Sequence, residues 1–216
     1  MKMGNIEKRF VNSQKHAQKN LDLIERLFTN VDLSNVSRVL EIGCGVGIVS
    51  AYLANKHNMD VTGTDLDPEQ IAIAKMYNTE NEHLKFLVAD STQLPFGDQE
   101  FDIALSIFVL HHIGNWEKTL EEINRILNQN GYFIFFDFAY SKFATRIFRS
   151  VAKNYGIYTI DDVINCLKIN NFDIIYTEGP KGIIIKNYCM VFRKQAENTE
   201  VWAVEDDLTR NQQMGL

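Results

Sequence analysis

Short apolar runs alternate along the chain with stretches in which apolar residues recur at helical spacing. The first pattern is typical of buried strands and the second of amphipathic helices. Runs such as "RVLEI", "FDIALSIF" and "YFIFFDF" predict strands, and "WEKTLEEINRILNQNG" predicts a helix that ends at Gly131. Because strands separated by single helices are joined by right-handed crossovers, the pattern predicts a mostly parallel, doubly wound α/β sheet.

The last two predicted strands depart from this parallel arrangement. The link "GPKG", whose first glycine ends "FDIIYTEG", leads directly into "IIIKNYCMVFR", and a link this short cannot hold a crossover. These two strands should therefore pair antiparallel. The complete prediction is a Rossmann-like, seven-stranded, mostly parallel sheet with an antiparallel last strand and helices on both faces.

Three glycines, Gly43, Gly45 and Gly47, lie between the first predicted strand and the next helix, in "LEIGCGVGIVS". Glycine permits positive φ and lets a ligand approach the main chain without meeting a Cβ atom. The helix that follows offers unpaired N–H groups and a positive dipole end. The turn therefore indicates a nucleotide-type ligand, although a tight turn without a ligand has the same composition. Its G-x-G-x-G spacing differs from the dinucleotide pattern, so NAD is not the first ligand to expect.

Acidic residues follow the next two predicted strands. Asp65 ends the second strand and Asp90 follows the third. In a doubly wound sheet the ligand lies beyond the carboxyl ends of the central strands, and a carboxylate there suits a ribose diol. Asp67, directly before "PEQ", is expected instead to cap the following helix.

Length and composition fit one globular domain, with 45% hydrophobic and 23% charged residues. The predicted domain spans residues 1–216, with an N-terminal helical cap at 1–35, a lid-like insertion at 139–158 and a polar tail at 197–216. We find no signal-peptide pattern and no apolar segment long enough to span a membrane, which predicts a cytoplasmic protein.

The charge and the cysteine content limit the kinds of partner and ligand to expect. The net charge of −6 argues against a protein that holds nucleic acid by a general positive surface. Cys44, Cys166 and Cys189 are widely separated and form no metal-type pair, so no metal site is expected.

Five segments in order resemble the class I S-adenosylmethionine-dependent methyltransferases. They are "VLEIGCGVG", "VTGTDLDPEQIAIA", "FLVADSTQLPF", "FDIALSIFVLHHI" and "LNQNGYFIFFDF", and they cover residues 36–138. The chain is most similar to the small-molecule branch that includes the ubiquinone/menaquinone-biosynthesis type. The resemblance implies transfer of a methyl group from S-adenosylmethionine to a small-molecule acceptor by in-line displacement, with release of S-adenosylhomocysteine.

The resemblance also implies a cofactor site built from the strand ends. Glu41 and the glycines would flank the methionine part, Asp65 would accept from the ribose hydroxyls, and Asp90 would accept from the adenine amine. Leu66 would pack on the adenine, and Ser106 would lie near the methionine end. The full predicted cofactor site is Glu41, Gly43, Cys44, Gly45, Gly47, Asp65, Leu66, Asp90, Ser91, Ser106 and Phe108.

The candidate catalytic residues are His111 and His112, which follow the fourth predicted strand. A neutral imidazole suits a general base near neutral pH, and a base is needed only when the acceptor arrives protonated. The alternative is that these histidines cap the next helix or shape the pocket.

The segment after the fifth strand is both aromatic and basic. Its apolar side chains suit the lining of an apolar acceptor and its cations suit an anionic portion of that acceptor, whereas the alternative is an amphipathic surface helix. The residues concerned are Lys142, Phe143, Arg146, Ile147, Phe148, Arg149 and Tyr155.

Other functions share parts of this pattern. An RNA or protein methyltransferase, or a protein that binds S-adenosylmethionine without catalysis, would keep the same cofactor residues. A nicotinamide dehydrogenase would not require "VADSTQLPF" and "SIFVLHHI" at their present distances. After the fourth strand the chain has neither the Asn/Asp-Pro-Pro run nor the Pro-Cys pair of nucleic-acid methyltransferases. A monomer or homodimer acting on a small molecule is the prediction that remains.

Overall fold

Helices and strands alternate along the chain in the predicted order. The computed structural model describes residues 14–79, 81–150, 152, 154–181 and 185–196. The helices are α1 (Gln14–Phe28), α2 (Ile48–His57), α3 (Pro68–Tyr77), α4 (Trp116–Ile126), α5 (Lys142–Phe148) and α6 (Ile160–Ile169). The strands are β1 (Arg38–Ile42), β2 (Asp60–Asp65), β3 (Leu84–Val88), β4 (Phe101–Ile107), β5 (Leu127–Tyr140), β6 (Phe172–Lys181) and β7 (Ile185–Lys194), and one 3₁₀ turn spans Leu110–His112.

The strands form one seven-stranded sheet in the order β3-β2-β1-β4-β5-β7-β6. The pairs among β1 to β5 are parallel, and β7 pairs antiparallel with both β5 and β6. This confirms the predicted doubly wound, Rossmann-like sheet with its antiparallel end. The strand order reverses between β1 and β4, which creates the crevice where ligands of such sheets bind.

Both faces of the sheet are buried, which explains the unbroken apolar character of the central strands. On β4, Ile103 and Leu105 belong to a core cluster beneath α1 and α2, whereas Ala104 lies in the opposite cluster. On β5, Phe133 joins Ala104, and Ile134 faces the first cluster. Alternate side chains thus anchor the two helical layers on one rigid sheet.

Two predicted boundaries are wrong. Helix α4 ends at Ile126 rather than Gly131, because the chain from Leu127 onward enters β5. Gly131 is instead needed for close packing, since a Cβ there would lie 2.9 Å from the carbonyl oxygen of Asn128 and 3.0 Å from that of Asp102. Strand β6 continues to Lys181, so part of the "GPKG" link belongs to the strand.

The predicted cap and tail are only partly within the described residues. Helix α1 packs on α2 through Glu25, whose carboxylate accepts from the Tyr52 hydroxyl at 2.9 Å and lies 2.7 Å from Lys56 Nζ and 2.9 Å from His57 Nε2. Hydrogen bonds from Lys56 and His57 lower the pKa of Glu25 to about 2. The tail at 197–216 lies outside the described residues, and the division of the chain into cap, insertion and tail stays a prediction.

A buried lysine on β7 stabilises the end of α4. Lys194 Nζ donates to the carbonyl oxygens of Asn124 at 2.7 Å and Leu127 at 3.0 Å, which the helix end leaves without intrahelical partners. We expect Lys194→Met to lower the free energy of unfolding by about 1–3 kcal/mol, because these carbonyls stay buried without their donor. Urea unfolding measures the change. Lys75→Met, an exposed change on α3, is the control, and an equal loss in both variants would contradict this role.

Candidate active site at the carboxyl ends of the strands

The glycine turn after β1 serves two different purposes. Gly43, Gly45 and Gly47 have φ values of 68°, 53° and 79°, in the left-handed region that favours glycine. A Cβ at Gly43 would overlap Val109, and one at Gly47 would overlap Phe86. A Cβ at Gly45 would meet only Gln70 Oε1 at 3.6 Å. Two of the glycines therefore permit internal packing, whereas the buried Gly45 leaves room for a Cβ without overlap.

Asp65 connects this turn to the end of β2. Its Oδ2 accepts from the main-chain N–H of Gly45 at 2.9 Å, and its Oδ1 accepts from that of Asp67 at 2.8 Å. The next side chain, Leu66, is 45% exposed. Asp67 accepts from Glu69 N at 3.0 Å as the N-cap of α3, which confirms the capping prediction.

Glu41 lies buried beneath the turn. Ser50 Oγ donates to its carboxylate at 2.5 Å, and the Thr64 hydroxyl donates to its main-chain oxygen at 3.1 Å. Burial, with a smaller contribution from the charge of Asp65, raises the pKa of Glu41 to about 7, although the hydrogen bonds with Ser50 oppose the shift. The charge of Asp65 makes the site electronegative, which suits a cationic ligand group.

Cys44 is buried in the core cluster beside the turn, although it was predicted in the cofactor site. Burial, followed by the charges of Glu41 and Asp65, raises the pKa of the Cys44 thiol well above its usual value. A neutral, buried thiol is a poor nucleophile.

The residues after β3 form a tight turn at the surface. Asp90 Oδ1 accepts from the main-chain N–H of Thr92 at 2.9 Å and from its hydroxyl at 2.8 Å. Ser91 Oγ instead lies 3.1 Å from Thr119 Oγ1 on α4. Because β2 and β3 pair with Asp65 opposite Val88, the structure places Asp90 next to the Asp65 strand end, as predicted from the sequence.

The end of β4 combines a buried hydroxyl with a strained residue. Ser106 is fully buried, and within the part of the chain that the structure describes its Oγ has no hydrogen-bond partner. Phe108 has φ of 55°, a conformation that is unfavourable for a bulky side chain and that concentrates at functional sites. Its ring centroid lies 4.4 Å from that of Phe136.

His111 forms a close pair with Asp137 of β5. Its Nδ1 lies 2.6 Å from Asp137 Oδ1, and its main-chain N–H donates to Oδ2 at 3.1 Å. Asp137 is fully buried, and the His111 side chain is 12% exposed. A proton on Nδ1 serves the carboxylate and leaves the lone pair of the ring on Nε2. The pair therefore holds the imidazole in the orientation and tautomer of a general base.

Asp137 was missed by the sequence analysis. The signal in the sequence was one carboxylate inside the aromatic run "YFIFFDF". Because a buried carboxylate requires a partner, this position indicates a paired, functional group. Its partner could not be identified, since His111 lies 26 positions away along the chain. Tyr158 packs nearby, where burial and then the charge of Asp137 raise its pKa well above the usual value.

The 3₁₀ turn that carries both histidines is enclosed by close contacts. Val109 packs on Gly43, and Gly156 N donates to the main-chain oxygen of His111 at 2.9 Å. A Cβ at Gly156 would lie 3.1 Å from His111 Cα. The His112 ring is 3.9 Å from that of His111, so both predicted catalytic histidines lie between the glycine turn and the end of the predicted insertion.

Neither a metal cluster nor a membrane helix is found in the part of the chain that the structure describes. Its histidine, cysteine and acidic side chains nowhere gather in groups of three that could hold a metal ion. None of the helices α1 to α6 is long and apolar enough to cross a bilayer.

Comparison with known proteins links this arrangement to methyl transfer. Residues 40–135 match the family model described as a methyltransferase domain. The chain is 34% identical over 110 residues to the sterol 4-C-methyltransferase strm-1 of Caenorhabditis elegans, covering 50% of this chain and 33% of that protein. It is 34% identical over 118 residues to the phthiotriol/phenolphthiotriol dimycocerosates methyltransferase of Mycobacterium tuberculosis, covering 54% and 43%. The chain thus spans less than half of the length of these relatives.

Solved structures with the same fold are more distant in sequence. The [4+2]-cyclase SpnF superposes with a TM-score of 0.69 at 17% identity, covering 83% of this chain and 82% of that one. The PH0226 protein of Pyrococcus horikoshii gives a TM-score of 0.68 at 20% identity, covering 86% and 93%. At these identities the likeness concerns the fold alone.

The raised pKa of Glu41 predicts a pH-dependent stability. The unfolded chain ionises Glu41 near pH 4.5 and the folded chain near pH 7, so the folded state loses stability as pH rises between these values. Glu41→Gln removes this loss. As the pH rises from 4.5 to 7.5, we expect the free energy of unfolding of the variant to increase by about 3 kcal/mol relative to that of the wild type. The reason is that each pKa unit is worth about 1.36 kcal/mol.

Urea unfolding at a series of pH values tests this difference. Glu82→Gln, which changes an exposed carboxylate, is the control and should run parallel to the wild type. A difference between Glu41→Gln and the wild type that stays constant from pH 4.5 to 7.5 would contradict the buried, neutral state of Glu41.

Proposed function

Because residues 40–135 form a methyltransferase domain of the class I S-adenosylmethionine-dependent family, we propose that this protein methylates a small molecule whose acceptor atom arrives protonated. The observation that carries the proposal is the His111–Asp137 pair, which lies beside the glycine turn at the carboxyl edge of the sheet. A binding site for the methyl donor, without a base, would suffice for an acceptor atom with a free lone pair. The oriented imidazole favours an acceptor from which a proton must be removed.

The site residues fit the methyl donor of this family. The glycine turn suits the methionine portion, and the carboxylate of Asp65 suits the ribose, since each of its oxygens has a second lone pair for a hydroxyl donor. Asp90 suits the adenine amine, and Leu66 offers exposed apolar surface for the ring. S-adenosylmethionine supplies a methyl group already activated on a sulfonium. These assignments follow from the family resemblance and from the position of each residue at its strand end.

The residues around His111 would prepare the acceptor. Nε2 would take the acceptor proton while Asp137 holds Nδ1 and stabilises the imidazolium. The rings of Phe108 and Phe138 would keep water away from the reacting atoms. Holding the acceptor close and aligned accounts for about 7–11 kcal/mol of barrier lowering in favourable systems.

The named relatives support a small, largely apolar acceptor. Their names refer to sterols and to phthiotriol dimycocerosates. The likeness to the ubiquinone/menaquinone type, the cytoplasmic location and the monomeric or homodimeric state stay predictions. An RNA or protein acceptor remains the alternative, and a nucleic-acid acceptor would show salt-dependent binding.

Cofactor binding is testable without knowing the acceptor. We expect calorimetry to show binding of S-adenosylmethionine and S-adenosylhomocysteine to the protein and no binding of NADH. Asp90→Asn keeps Oδ1 for the bonds to Thr92 but replaces the other oxygen by an amide donor, which opposes an adenine amine. Its affinity for both cofactor forms should fall about tenfold, since a lost hydrogen bond to a charged group is worth ~1.5–3 kcal/mol. Asp98→Asn, another exposed aspartate, should bind like the wild type.

Turnover tests the proposed base. His111→Asn places an amide nitrogen near the position of Nδ1, so the bond to Asp137 can persist while Nε2 is lost. Release of S-adenosylhomocysteine with a panel of phenols, catechols and secondary alcohols should fall about 10²–10⁴-fold. Calorimetric affinity for S-adenosylmethionine should stay within twofold. His83→Gln, at the opposite edge of the sheet, is the control, and wild-type turnover by His111→Asn would remove His111 from this role.

A further inference from the structure

β5 continues past the point where its partner β4 ends. The last β4 pairing joins Ile107 to Phe136, whereas β5 runs on to Tyr140 and remains paired with β7 as far as Ile185. The extension therefore rises above the carboxyl edge of the sheet as a wall beside His111. It is a strand-built surface, which holds side chains more rigidly than a loop does.

Aromatic rings follow this wall outward from the proposed base. The ring centroid of Phe138 lies 4.1 Å from that of His111 and 5.8 Å from that of Tyr140. The Tyr140 centroid lies 6.0 Å from that of Phe148 on α5. Phe138 and Tyr140 are two positions apart on one strand and so share a face. We call Phe138, Tyr140 and Phe148 the aromatic row.

The outer end of the aromatic row opens on exposed apolar surface. Phe143 and Ile147 of α5 are 77% and 49% exposed, and Phe148 is 41% exposed. Ile185, directly opposite Tyr140 and therefore on the same face, is also exposed. Grouped apolar side chains of this size next to a cleft are typical of a binding surface.

Two of the cations beside the aromatic row, Lys142 and Arg149, are already paired, whereas Arg146 of α5 is exposed. Lys142 Nζ lies 3.0 Å from Asp161 Oδ2, and Arg149 Nη2 lies 3.0 Å from Asp162 Oδ2 at the start of α6. Arg149 Nε also donates to the main-chain oxygen of Ile157 at 3.2 Å. These contacts offset the charges of Lys142 and Arg149, and the exposed apolar side chains around them favour a neutral ligand portion.

We propose that the methyl acceptor is an amphiphile, with its reactive group at His111 and a neutral apolar tail along the aromatic row. This rests on the proposed function, because it takes the acceptor as the occupant of the wall. Removing a tail from water strengthens binding with each methylene that is buried, at most about fourfold per methylene. A tail longer than the row reaches the exposed surface of α5.

A homologous series of 4-alkylphenols, from 4-methylphenol to 4-hexylphenol, tests the tail subsite by calorimetry with S-adenosylhomocysteine saturating. In the wild type the dissociation constant should fall about two- to fourfold per added methylene. In Phe148→Ser the longer members should lose this gain, while 4-methylphenol and S-adenosylhomocysteine bind as in the wild type. Phe143→Ser serves as a second variant at a more exposed position. Met76→Ser, an exposed apolar change on α3, should keep the full chain-length dependence.

The outcomes separate this inference from the proposed function. Wild-type binding that does not depend on chain length, or no binding of the longer alkylphenols, overturns the tail subsite even when S-adenosylhomocysteine binds normally. An unchanged dependence in Phe148→Ser and Phe143→Ser, as in Met76→Ser, also overturns it, because the gain would then arise elsewhere. A third result is possible, in which the chain-length dependence is lost in both variants but S-adenosylhomocysteine does not bind. This result would support the apolar subsite and overturn the proposed methyl transfer.

Discussion

The reversal of strand order between β1 and β4 is the constraint on which the site depends. Parallel strands end at one edge of the sheet, and the chains leaving β1 and β4 turn to opposite sides there. The resulting crevice is then narrowed by a close contact, since Gly43 lacks the Cβ that would displace Val109. Gly156 also allows a close approach, since its main-chain N–H donates to the oxygen of His111.

Carboxylates at successive strand ends differ in their surroundings and therefore in their chemistry. Asp65 accepts from main-chain N–H groups, Glu41 is buried with a pKa near 7, and Asp137 is buried against an imidazole. Under the proposed function, such differences would let neighbouring groups of one chemical type act as a hydrogen-bond acceptor, as a group that ionises near pH 7 and as the positioning partner of a base. The sheet makes this possible because it places each group at a separate, rigid position.

The antiparallel end of the sheet also contributes to the site. Because β7 runs against β5, the hairpin it forms with β6 leaves β5 free to extend beyond β4 while remaining hydrogen-bonded on one side. This extension carries Asp137 to His111 and carries Phe138 and Tyr140 past it. Strand topology and the chemistry of the candidate site are thus directly connected, since a β5 that ended with β4 would contain none of these contacts.

Local patterns determined much of this protein from its sequence: the alternation of strands and helices, the antiparallel ending, the glycine turn, the Asp67 cap and the positions of Asp65, Asp90 and His111 at strand ends. These follow from periodicity and backbone preference within a few residues. Tertiary structure decided the rest. The end of α4 at Ile126, the pairing of Asp137 with His111, the burial of Cys44 and the close packing of Val109 on Gly43 all depend on neighbours distant in sequence. Strand register and packing bring these neighbours together, and a local sequence pattern specifies neither the register nor the packing.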